Sequence, residues 1–433
     1  MDSGWWRGQC LAAAVGLVVS SSVAAQIGGS ALTGIVVDQA GAAVPGAMLT
    51  ITSAETNLRR TTLTSGDGTY VVPGLVPGSY SVRVELNGFR PLTREGILLA
   101  TGETLRLDLR LELGAVTEAI TVTAGAPVLR SETSGLGHLV DNRKIIQLPL
   151  NGRSFITLAT LVPGVAVPPS PAAPFPRING GRPRTNEYLF DGISVLQPEP
   201  GQVAFFPNLD AIQEFKIESN SPPAEFGRFN GGVVNLTTRS GTNALHGTAF
   251  EFFRHEALNA RNFFAPTSAV EPQFRRNQFG GVLGGPLRRD RTFFFVDYQG
   301  QRQTIGRTAI STVPTLLQRQ GVFTEAIGGR VPAIYDPATG GAGRSPFAGN
   351  TIPRERMDPV ARALLERYPL PTSTGTANNY RRVADESVDQ DQFSLRLDHR
   401  FPANRDQVFG RLTRFREEFL PVTPFSDLSL IHI

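Results

Sequence analysis

Runs of alternating apolar and polar residues recur through the first part of the chain. Leucines occupy every odd position from Leu105 to Leu113 with charged residues between them. Within residues 80–87, apolar residues likewise occupy every even position from Tyr80 to Leu86. A period of two places alternate side chains on opposite faces, as in a β-strand with one buried face. Turn signals such as Gly66-Asp67-Gly68 separate the runs. The pattern predicts a small two-sheet β-sandwich over residues 26–113.

The same alternation returns after residue 246 in longer and more aromatic runs. Phe294, Val296 and Tyr298 lie at alternate positions, and residues 393–398 alternate in the same way. Strands of transmembrane β-barrels show this pattern because apolar residues face lipid and polar residues face the lumen. The region is therefore predicted to contain membrane-spanning strands surrounded by outer-membrane lipid.

A stretch rich in Pro and Gly, at about residues 301–390, separates two of these runs. It is too long for an ordinary loop of a compact domain, and we predict an extracellular loop. Within it, Asp358 is placed to cap a helix that has Pro359 at its first position. After the loop, residues 393–400 and 407–415 predict one hairpin with its turn at Pro402–Arg405.

Composition agrees with a mainly β protein. The 433 residues include 45 Gly and 32 Pro, and only 18% of residues are charged. This content favours short strands and turns, and it argues against a helical bundle, a coiled coil or a doubly wound α/β enzyme. The net charge of +4 is dispersed along the chain. We expect no nucleic-acid partner, since binding nucleic acid needs clustered basic residues.

Residues 1–25 have the pattern of a secretory signal peptide. Arg7 precedes the apolar run Cys10–Val19, and Val23 and Ala25 have the spacing that signal peptidase recognises. The alternative is a short membrane anchor, but a helix that spans a bilayer needs about 20 apolar residues. Cys10 is the only cysteine, so the exported chain is predicted to have no disulfide and no thiolate metal site.

No arrangement of residues indicates catalysis or metal binding. His255-Glu256 is not followed by a second histidine at zinc-ligand spacing, and the Gly66-Asp67-Gly68 turn lacks the further acidic ligands of a calcium loop. There is no Gly-x-Ser-x-Gly sequence. We predict that the protein is not an enzyme and has no catalytic residues, no cofactor and no metal site.

The first alternating region resembles the carboxypeptidase regulatory-like domain, a transthyretin-like sandwich. The resemblance is carried by residues 34–38, 44–47, 68–70, 75–80 and 88–89. It implies a carbohydrate-binding-like fold and a glycan as one ligand. The alternative is a structural spacer, in which Tyr70, Tyr80 and Phe89 belong to the core.

Residues 128–245 contain a longer ordered series of motifs. They are Leu148–Phe155, Leu161–Val165, Ile178–Arg182, Asn186–Gly192, Asp210–Ile217, Ala224–Asn235 and Thr237–Asn243. This series is similar to the plug domain of TonB-dependent receptors, in the Oar-like group that carries a sandwich in front. The resemblance implies a mixed α/β plug. In it, Leu189–Gly192 would end a buried strand in a tight turn, and Asp210 would cap a short helix.

Four arginines of this region are candidates for contacts between plug and barrel. Arg153, Arg182, Arg184 and Arg228 either pair with carboxylates of the barrel lumen and hold the plug in place, or are simply solvated at the surface. The sequence leaves both interpretations open.

The hinge at residues 114–127 holds a short β-prone stretch, Glu118-Ala119-Ile120-Thr121-Val122-Thr123-Ala124. A strand with no partner in its own chain can add to the edge of another protein's sheet. The stretch looks like a TonB box, the contact of outer-membrane active transporters with a periplasmic TonB-type energy-coupling protein. The alternatives are an ordinary linker strand and the first plug strand.

The barrel region is short for the family that it resembles. Residues 246–433 number 188, whereas a plugged transporter has about 22 strands of about 9–11 residues. We expect a C-terminally truncated sequence that holds the first strands of an incomplete transmembrane β-barrel and is not competent alone. An open sheet edge in lipid is not viable.

The order of sandwich, hinge, plug and barrel predicts a TonB-dependent outer-membrane receptor for energy-coupled uptake of an unknown small ligand. The location implied is the bacterial outer membrane, reached through a cleaved signal peptide. The alternative is an outer-membrane surface adhesion or glycan-binding protein without transport.

Overall fold

The computed structural model describes residues 29–114, 120–123, 136–148, 150–167, 175–182, 184–197, 203–220, 226–227, 229–260, 273–340, 343–401 and 406–425. The predicted signal peptide, Glu118, Ala119, Ala124 and Arg228 lie outside these residues. The chain divides into two compact units. The first comprises the chain up to Thr248 with Val282–Asp297 and Ser394–Leu412, and the second comprises Ala249–Gly281, Tyr298–Phe393 and Thr413–Ile433.

The N-terminal region, residues 30–123, contains two sheets around one apolar core. Its strands are β1 (Ser30–Val37), β2 (Met48–Ser53), β3 (Arg59–Leu63), β4 (Thr69–Leu75), β5 (Gly78–Glu85), β6 (Leu92–Leu99), β7 (Thr104–Arg106), β8 (Leu109–Arg110) and β9 (Ile120–Thr123). One sheet has the order β4-β1-β7, with β8 also paired to β1, and the other has the order β3-β2-β5-β6-β9. Val82, Val84 and the leucines from Leu105 to Leu111 are buried, as the alternation predicted.

The aromatic residues of this region belong to its core. Tyr70 and Tyr80 are buried, and their hydroxyls donate to the backbone oxygens of Leu107 and Val76, each at 2.6 Å. Burial raises the pKa of Tyr80 to about 12, because a phenolate there would lose its hydration. Phe89 packs against the same core. These positions agree with a structural role for the three rings.

The middle region, residues 136–238, has a core of its own and mixes helix with sheet. Its elements are β10 (Leu136–Asp141), α1 (Asn142–Gln147), β11 (Val165–Ala166), β12 (Arg177–Ile178), β13 (Glu187–Phe190), β14 (Ile193–Ser194), β15 (Ile212–Asn220) and β16 (Val233–Thr238), with 3₁₀ turns at Phe155–Leu161 and Leu209–Ala211. The main sheet has the order β10-β15-β16-β13-β14, in which β13 and β16 are parallel.

Two local predictions for the middle region have different outcomes. β13 ends at Phe190 and turns through Asp191 and Gly192, whose φ angles are +51° and +83°, so the tight turn is confirmed. The prediction that Asp210 caps a helix is wrong. Asn208 accepts from the backbone N–H of Asp210 and begins the 3₁₀ turn, because the Asp210 carboxylate is engaged elsewhere.

The C-terminal region contributes long strands. They are β17 (His246–His255), β18 (Phe274–Arg288), β19 (Thr292–Ser311), β20 (Tyr380–Arg400) and β21 (Gln407–Leu420), and they are neighbours in sequence order in one five-stranded sheet. Among the described residues this sheet is not closed, since β17 and β21 are its two ends. The predicted hairpin is present as β20 and β21, and its predicted turn at Pro402–Arg405 lies outside the described residues.

The long loop is shorter than the sequence suggested. β19 continues to Ser311 and β20 begins at Tyr380, so the loop covers residues 312–379 and not 301–390. It contains α2 (Leu316–Arg319), α3 (Pro359–Arg367) and 3₁₀ turns at Pro337–Thr339, Ala348–Asn350 and Arg354–Arg356. Asp358 caps α3 as predicted, accepting from the N–H groups of Val360 and Ala361. Across the described ranges, no helix has the length and apolar character needed to cross a membrane.

Candidate functional site

The four described residues of the predicted coupling stretch form β9. β9 pairs in parallel with β6, with Ile120 opposite Leu92 and Thr123 opposite Glu95. The expectation of a strand without a partner in its own chain is therefore wrong for these residues, and their role in coupling stays a prediction. In the described part of the chain, β9 is the last strand on its side of the sheet.

The turn that follows β6 joins the N-terminal region to the middle region. Thr101 donates from its backbone N–H and from Oγ1 to the carboxylate of Glu214 on β15, at 2.5 Å for Oγ1. Lys216 Nζ, also on β15, donates to the backbone oxygen of Gly102 at 3.1 Å. Thr101 and Glu214 are both buried. We call Thr101 and Glu214 the clamp.

The electrostatics of the clamp depend on burial. Loss of hydration raises the pKa of Glu214, and the two hydrogen bonds from Thr101 act in the opposite direction. The nearby carboxylates of Glu103 and Asp141 raise the pKa further. A buried carboxylate is costly without donors. The clamp thus fixes the end of β6 to β15 through the donors that Glu214 needs.

A second set of polar contacts starts from the loop between β2 and β3. Arg400 Nη1, at the end of β20, donates to the backbone oxygen of Thr56 at 2.9 Å. Asp290, just before β19, accepts from the side-chain amides of Asn57 at 3.0 Å and Asn243 at 2.7 Å. These contacts connect the loop to the strand ends that belong to the same compact unit.

One buried carboxylate of the middle region lies between two arginines of the C-terminal strands. Asp191 Oδ1 is 3.1 Å from Arg396 Nη1, and Asp191 Oδ2 is 3.3 Å from Arg411 Nη1. The carboxylate also accepts from the N–H and the hydroxyl of Thr238. The Asp191, Arg396 and Arg411 side chains are only 7%, 8% and 14% exposed. We call these three residues the Asp191 cluster.

Further contacts fix the arginine at the centre of the cluster. Arg396 Nη2 is 3.0 Å from Asp398 Oδ1, and the guanidinium lies 4.7 Å from the ring centroid of Phe409. Burying an ion pair costs hydration, so its net contribution to stability is small, but removal of one partner leaves a buried charge unpaired at a cost of about 3–5 kcal/mol. The Asp191 cluster therefore resists separation of these residues.

The candidate arginines of the middle region that the structure describes are not members of the Asp191 cluster. Arg153 forms a buried ion pair with Asp210, a carboxylate of the same region. Arg182 and Arg184 are exposed, which agrees with the solvation alternative, and the Arg184 guanidinium lies 5.8 Å from the ring centroid of Phe175. Arg228 lies outside the described residues.

The Asp191 cluster has the opposite polarity to the candidate contacts of the four arginines, whose role stays a prediction. In the Asp191 cluster the middle region supplies the carboxylate and the C-terminal strands supply the arginines. In the sequence, Asp191 is recognisable only as part of a turn signal. The one available signal was an acidic residue immediately after a buried strand, which does not identify a partner.

A cavity of about 550 Å³ borders the Asp191 cluster. Asp191, Asn235, Tyr80, Arg60 and Arg400 are among the residues that line it. Its walls carry enough polar groups to hold water. Asp191 and Arg396 of the cluster both contribute to its wall.

Comparison with known proteins agrees with this architecture. Residues 237–430 match the family model of the outer membrane beta barrel domain, and residues 31–112 match that of the carboxypeptidase regulatory-like domain. Over 300 residues the chain is 31% identical to the TonB-dependent transporter Oar of Myxococcus xanthus. Over these residues the chain is similar to a TonB-dependent transporter. The resemblance inferred from the sequence is confirmed.

The extent of these matches differs between the proteins. The alignment with the transporter Oar covers 66% of this chain and 28% of that protein. Among solved structures, the siderophore receptor PirA from Acinetobacter baumannii is 16% identical, over 67% of this chain and 33% of the receptor, with a TM-score of 0.39. The outer membrane transporter YddB from Escherichia coli is 14% identical, over 61% of this chain and 37% of YddB, with a TM-score of 0.35.

The similarity bears on two further predictions. Oar is named as a transporter, and the absence of enzymatic activity in this chain stays a prediction. The match to the outer membrane beta barrel domain supports the predicted outer-membrane location.

Proposed function

We propose that this chain works in an outer-membrane receptor that takes up a small ligand with energy from a periplasmic TonB-type coupling protein. In this proposal residues 128–245 act as the plug, and β17–β21 belong to the barrel wall. The Asp191 cluster is the observation that carries the proposal. It joins the middle region by buried ion pairs to strands inside the outer membrane beta barrel match.

Energy coupling has two requirements. The plug must stay in place at rest, and a pull on the coupling strand must reach the contacts that hold the plug. The Asp191 cluster meets the first requirement, because its separation would leave buried charges unpaired. For the second, β9 is bonded to β6, and the turn after β6 is held by Glu214 on β15. β15 pairs with β16, whose Thr238 donates to Asp191. A pull on β9 would thus reach the cluster through hydrogen-bonded elements.

The coupling step is tested by binding of the full chain, in detergent, to the purified periplasmic domain of a TonB-type protein. Deletion of Ile120–Thr123 is expected to abolish binding, because this strand supplies the main-chain hydrogen-bonding groups. Alanine replacement of Thr61 and Thr62 in β3 serves as the control and is expected to leave binding intact. Equal binding with and without Ile120–Thr123 would contradict the coupling role.

Glycan binding or adhesion without transport is the second function that the sequence allowed. No specific observation favours it, because Tyr70 and Tyr80, the aromatic residues that a sugar would stack on, are buried in the core. Binding of the full chain to a glycan array, unchanged by deletion of Ile120–Thr123, would favour this function.

A further inference from the structure

The cavity beside the Asp191 cluster has the size and the lining of a small-molecule site. Its volume of about 550 Å³ lies within the usual range for ligand pockets, about 300–1,000 Å³. Leu58, Leu75, Val76 and Phe293 give it an apolar wall, and charged side chains reach it from the N-terminal region and from the C-terminal strands. All of these residues belong to the same compact unit. The charges that lack a partner therefore decide which ligand fits the cavity.

Two arginines that line the cavity are not neutralised by a carboxylate of the described ranges. In this part of the chain, Arg60 on β3 forms no ion pair, and its Nε is buried without a hydrogen-bond acceptor. Arg400, at the end of β20, donates to the backbone oxygen of Thr56, and its Cζ lies 5.3 Å from the ring centroid of Phe293. Buried polar nitrogens normally have an acceptor, so these side chains retain donors for a ligand. We call Arg60 and Arg400 the cavity arginines.

The carboxylates of the lining are engaged elsewhere or exposed. Arg396 holds both Asp191 and Asp398, at 3.1 Å and 3.0 Å. Glu55 and Asp406 are exposed, and neither forms an ion pair with any residue that the structure describes. The cavity therefore keeps an excess of positive charge around the cavity arginines.

The Tyr80 hydroxyl shows that both cavity arginines act on the same part of the cavity. Burial raises the pKa of Tyr80 to about 12, the charge of Arg400 opposes this rise, the charge of Glu55 adds to it, and the charge of Arg60 opposes it. Both guanidinium groups are thus within electrostatic reach of one side chain, and their like charges repel each other. An anion between them would remove this repulsion.

We propose that the cavity binds an organic phosphate, with its phosphate group held between Arg60 and Arg400. The planar guanidinium group matches phosphate oxygens through two parallel hydrogen bonds. A phosphate monoester carries a charge of about −1.5 to −2 at neutral pH, which is close to the charge needed to balance two arginines. The apolar wall receives the organic part of the ligand. This inference does not depend on the coupling role of β9.

The bound phosphate would connect two parts of the compact unit. Arg60 belongs to β3, and Arg400 lies at the end of β20. Arg400 already contacts the loop between β2 and β3 through Thr56. A shared anion would therefore hold this loop more firmly against the end of β20.

Calorimetric titration of the full chain, in a non-ionic detergent, tests the site. The soluble probe is glycerol 3-phosphate, and acetate is the singly charged comparison. Arg60→Gln is the decisive variant, because no described side chain pairs with Arg60 and the fold should not depend on its charge. Arg59→Gln is the matched control, since Arg59 is the adjacent residue of β3, is exposed and is not among the described lining residues.

Arg60→Gln should weaken binding of glycerol 3-phosphate at least about tenfold, because charge-assisted hydrogen bonds are lost. Arg59→Gln should change the Kd by less than about twofold, and acetate should bind the wild type at least about tenfold more weakly than the phosphate. Unchanged binding in Arg60→Gln, or equal losses in both variants, would overturn the inference. Equal affinity for acetate would also contradict a phosphate site.

A second titration distinguishes a soluble phosphate from a lipid headgroup, which carries the same chemistry. Dihexanoyl phosphatidic acid is compared with dihexanoyl phosphatidylcholine, whose headgroup has no net charge. Binding of phosphatidic acid but not of glycerol 3-phosphate, weakened by Arg60→Gln, would identify a lipid as the source of the phosphate. Binding of both probes with the same dependence on Arg60 would identify the phosphate group itself as the determinant. If the wild type bound neither probe, the inference would fail.

Hydrogen exchange provides a measurement at the site. With the probe at saturation, amides of residues 54–58 in the loop between β2 and β3 should gain protection in the wild type and in Arg59→Gln. The same amides should gain none in Arg60→Gln at the same probe concentration. An equal gain in all three chains would mean that the probe acts on this loop without Arg60, and the proposed site would be wrong.

Discussion

The N-terminal region and the C-terminal strands have the same sequence period and opposite burial. In the N-terminal region the buried positions are apolar, such as Val82 and Val84, each 0% exposed. In the C-terminal strands the buried positions include Asp297, Ser394 and Arg396 as well as three apolar residues, whereas many other apolar residues are exposed. The exposed set includes Phe252, Phe253, Leu283, Leu287, Phe393, Leu397 and Leu412.

This difference separates what the alternation determines from what it does not. A period of two predicts a strand with two unlike faces in either region. Which face is buried depends on the medium, because water favours an apolar interior whereas lipid favours an apolar exterior. The C-terminal strands are therefore built as expected for a wall between lipid and a polar interior.

The largest effect is expected from a charge placed in the apolar interior. Val82→Asp should destabilise the N-terminal region by more than about 5 kcal/mol, because the carboxylate would have no partner in a core of aliphatic side chains. The measurement is urea denaturation with hydrogen exchange along β2 and β5.

The matched control for this prediction is the same change at an exposed position. Val71 on β4 is 59% exposed, so Val71→Asp should alter stability by less than about 0.5 kcal/mol. Similar losses for both variants would mean that the N-terminal region does not have an apolar interior.

Removal of a charge from the polar interior is expected to have the next largest effect. Arg396→Met should destabilise the contact with the middle region by about 3–5 kcal/mol, because Asp191 would keep only Arg411 as a cationic partner. Hydrogen exchange of β13 and β16 in the detergent-solubilised chain measures the effect.

An exposed arginine of the same sheet provides the control. Arg416 is 73% exposed, and Arg416→Met should leave the exchange of β13 and β16 unchanged. A wild-type exchange pattern in the Arg396 variant would show that the Asp191 cluster does not hold the middle region.

The sequence could predict features that depend on neighbouring residues. The buried leucines from Leu105 to Leu111, the turn at Asp191-Gly192 and the Asp358 cap are each set by a few adjacent positions. The loop limits were predicted less well. β19 and β20 are neighbours in one sheet, and backbone pairing between strands requires no apolar alternation.

Most of the candidate site could not be predicted, because its contacts are distant in sequence. Asp191 and Arg396 are 205 positions apart, and Thr101 and Glu214 are 113 apart. Which arginine meets which carboxylate depends on sheet order and register, and neither is encoded in a local pattern. The pairing of β9 with β6 was missed for the same reason, since a β-prone stretch does not specify its partner strand.

The clamp is expected to respond to pH in a direction that its burial determines. The pKa of Glu214 is raised above its ordinary value of 4.5 in the folded chain, so the folded state binds more protons there than the unfolded state. Stability should therefore fall as the pH rises through the range above that value, and be greater below it. Hydrogen exchange of the Ala100–Glu103 turn, measured against pH, follows the effect.

A neutral side chain in place of Glu214 should remove the pH dependence of the turn's stability. In Glu214→Gln the amide oxygen can still accept from Thr101, so the turn should be at least as protected at neutral pH as in the wild type. Glu366→Gln, an exposed site, is the control and should keep the wild-type profile. A Glu214→Gln profile that still falls with pH would assign the effect to another group.

The smallest effect is expected from an ion pair on the outer face of the N-terminal region. Arg83 Nη2 is 2.7 Å from Glu85 Oε1, closer than Arg396 is to Asp191, but the two side chains are 48% and 34% exposed. Water solvates both charges in the unpaired state, so Arg83→Gln should cost less than about 0.5 kcal/mol. The melting temperatures of this variant and the wild type should differ little at low salt. They should differ still less at high salt, because salt screens the exposed pair. If Arg83→Gln cost as much as Arg396→Met, distance rather than burial would govern the strength of these pairs, and the contrast between the two regions would not extend to their charges.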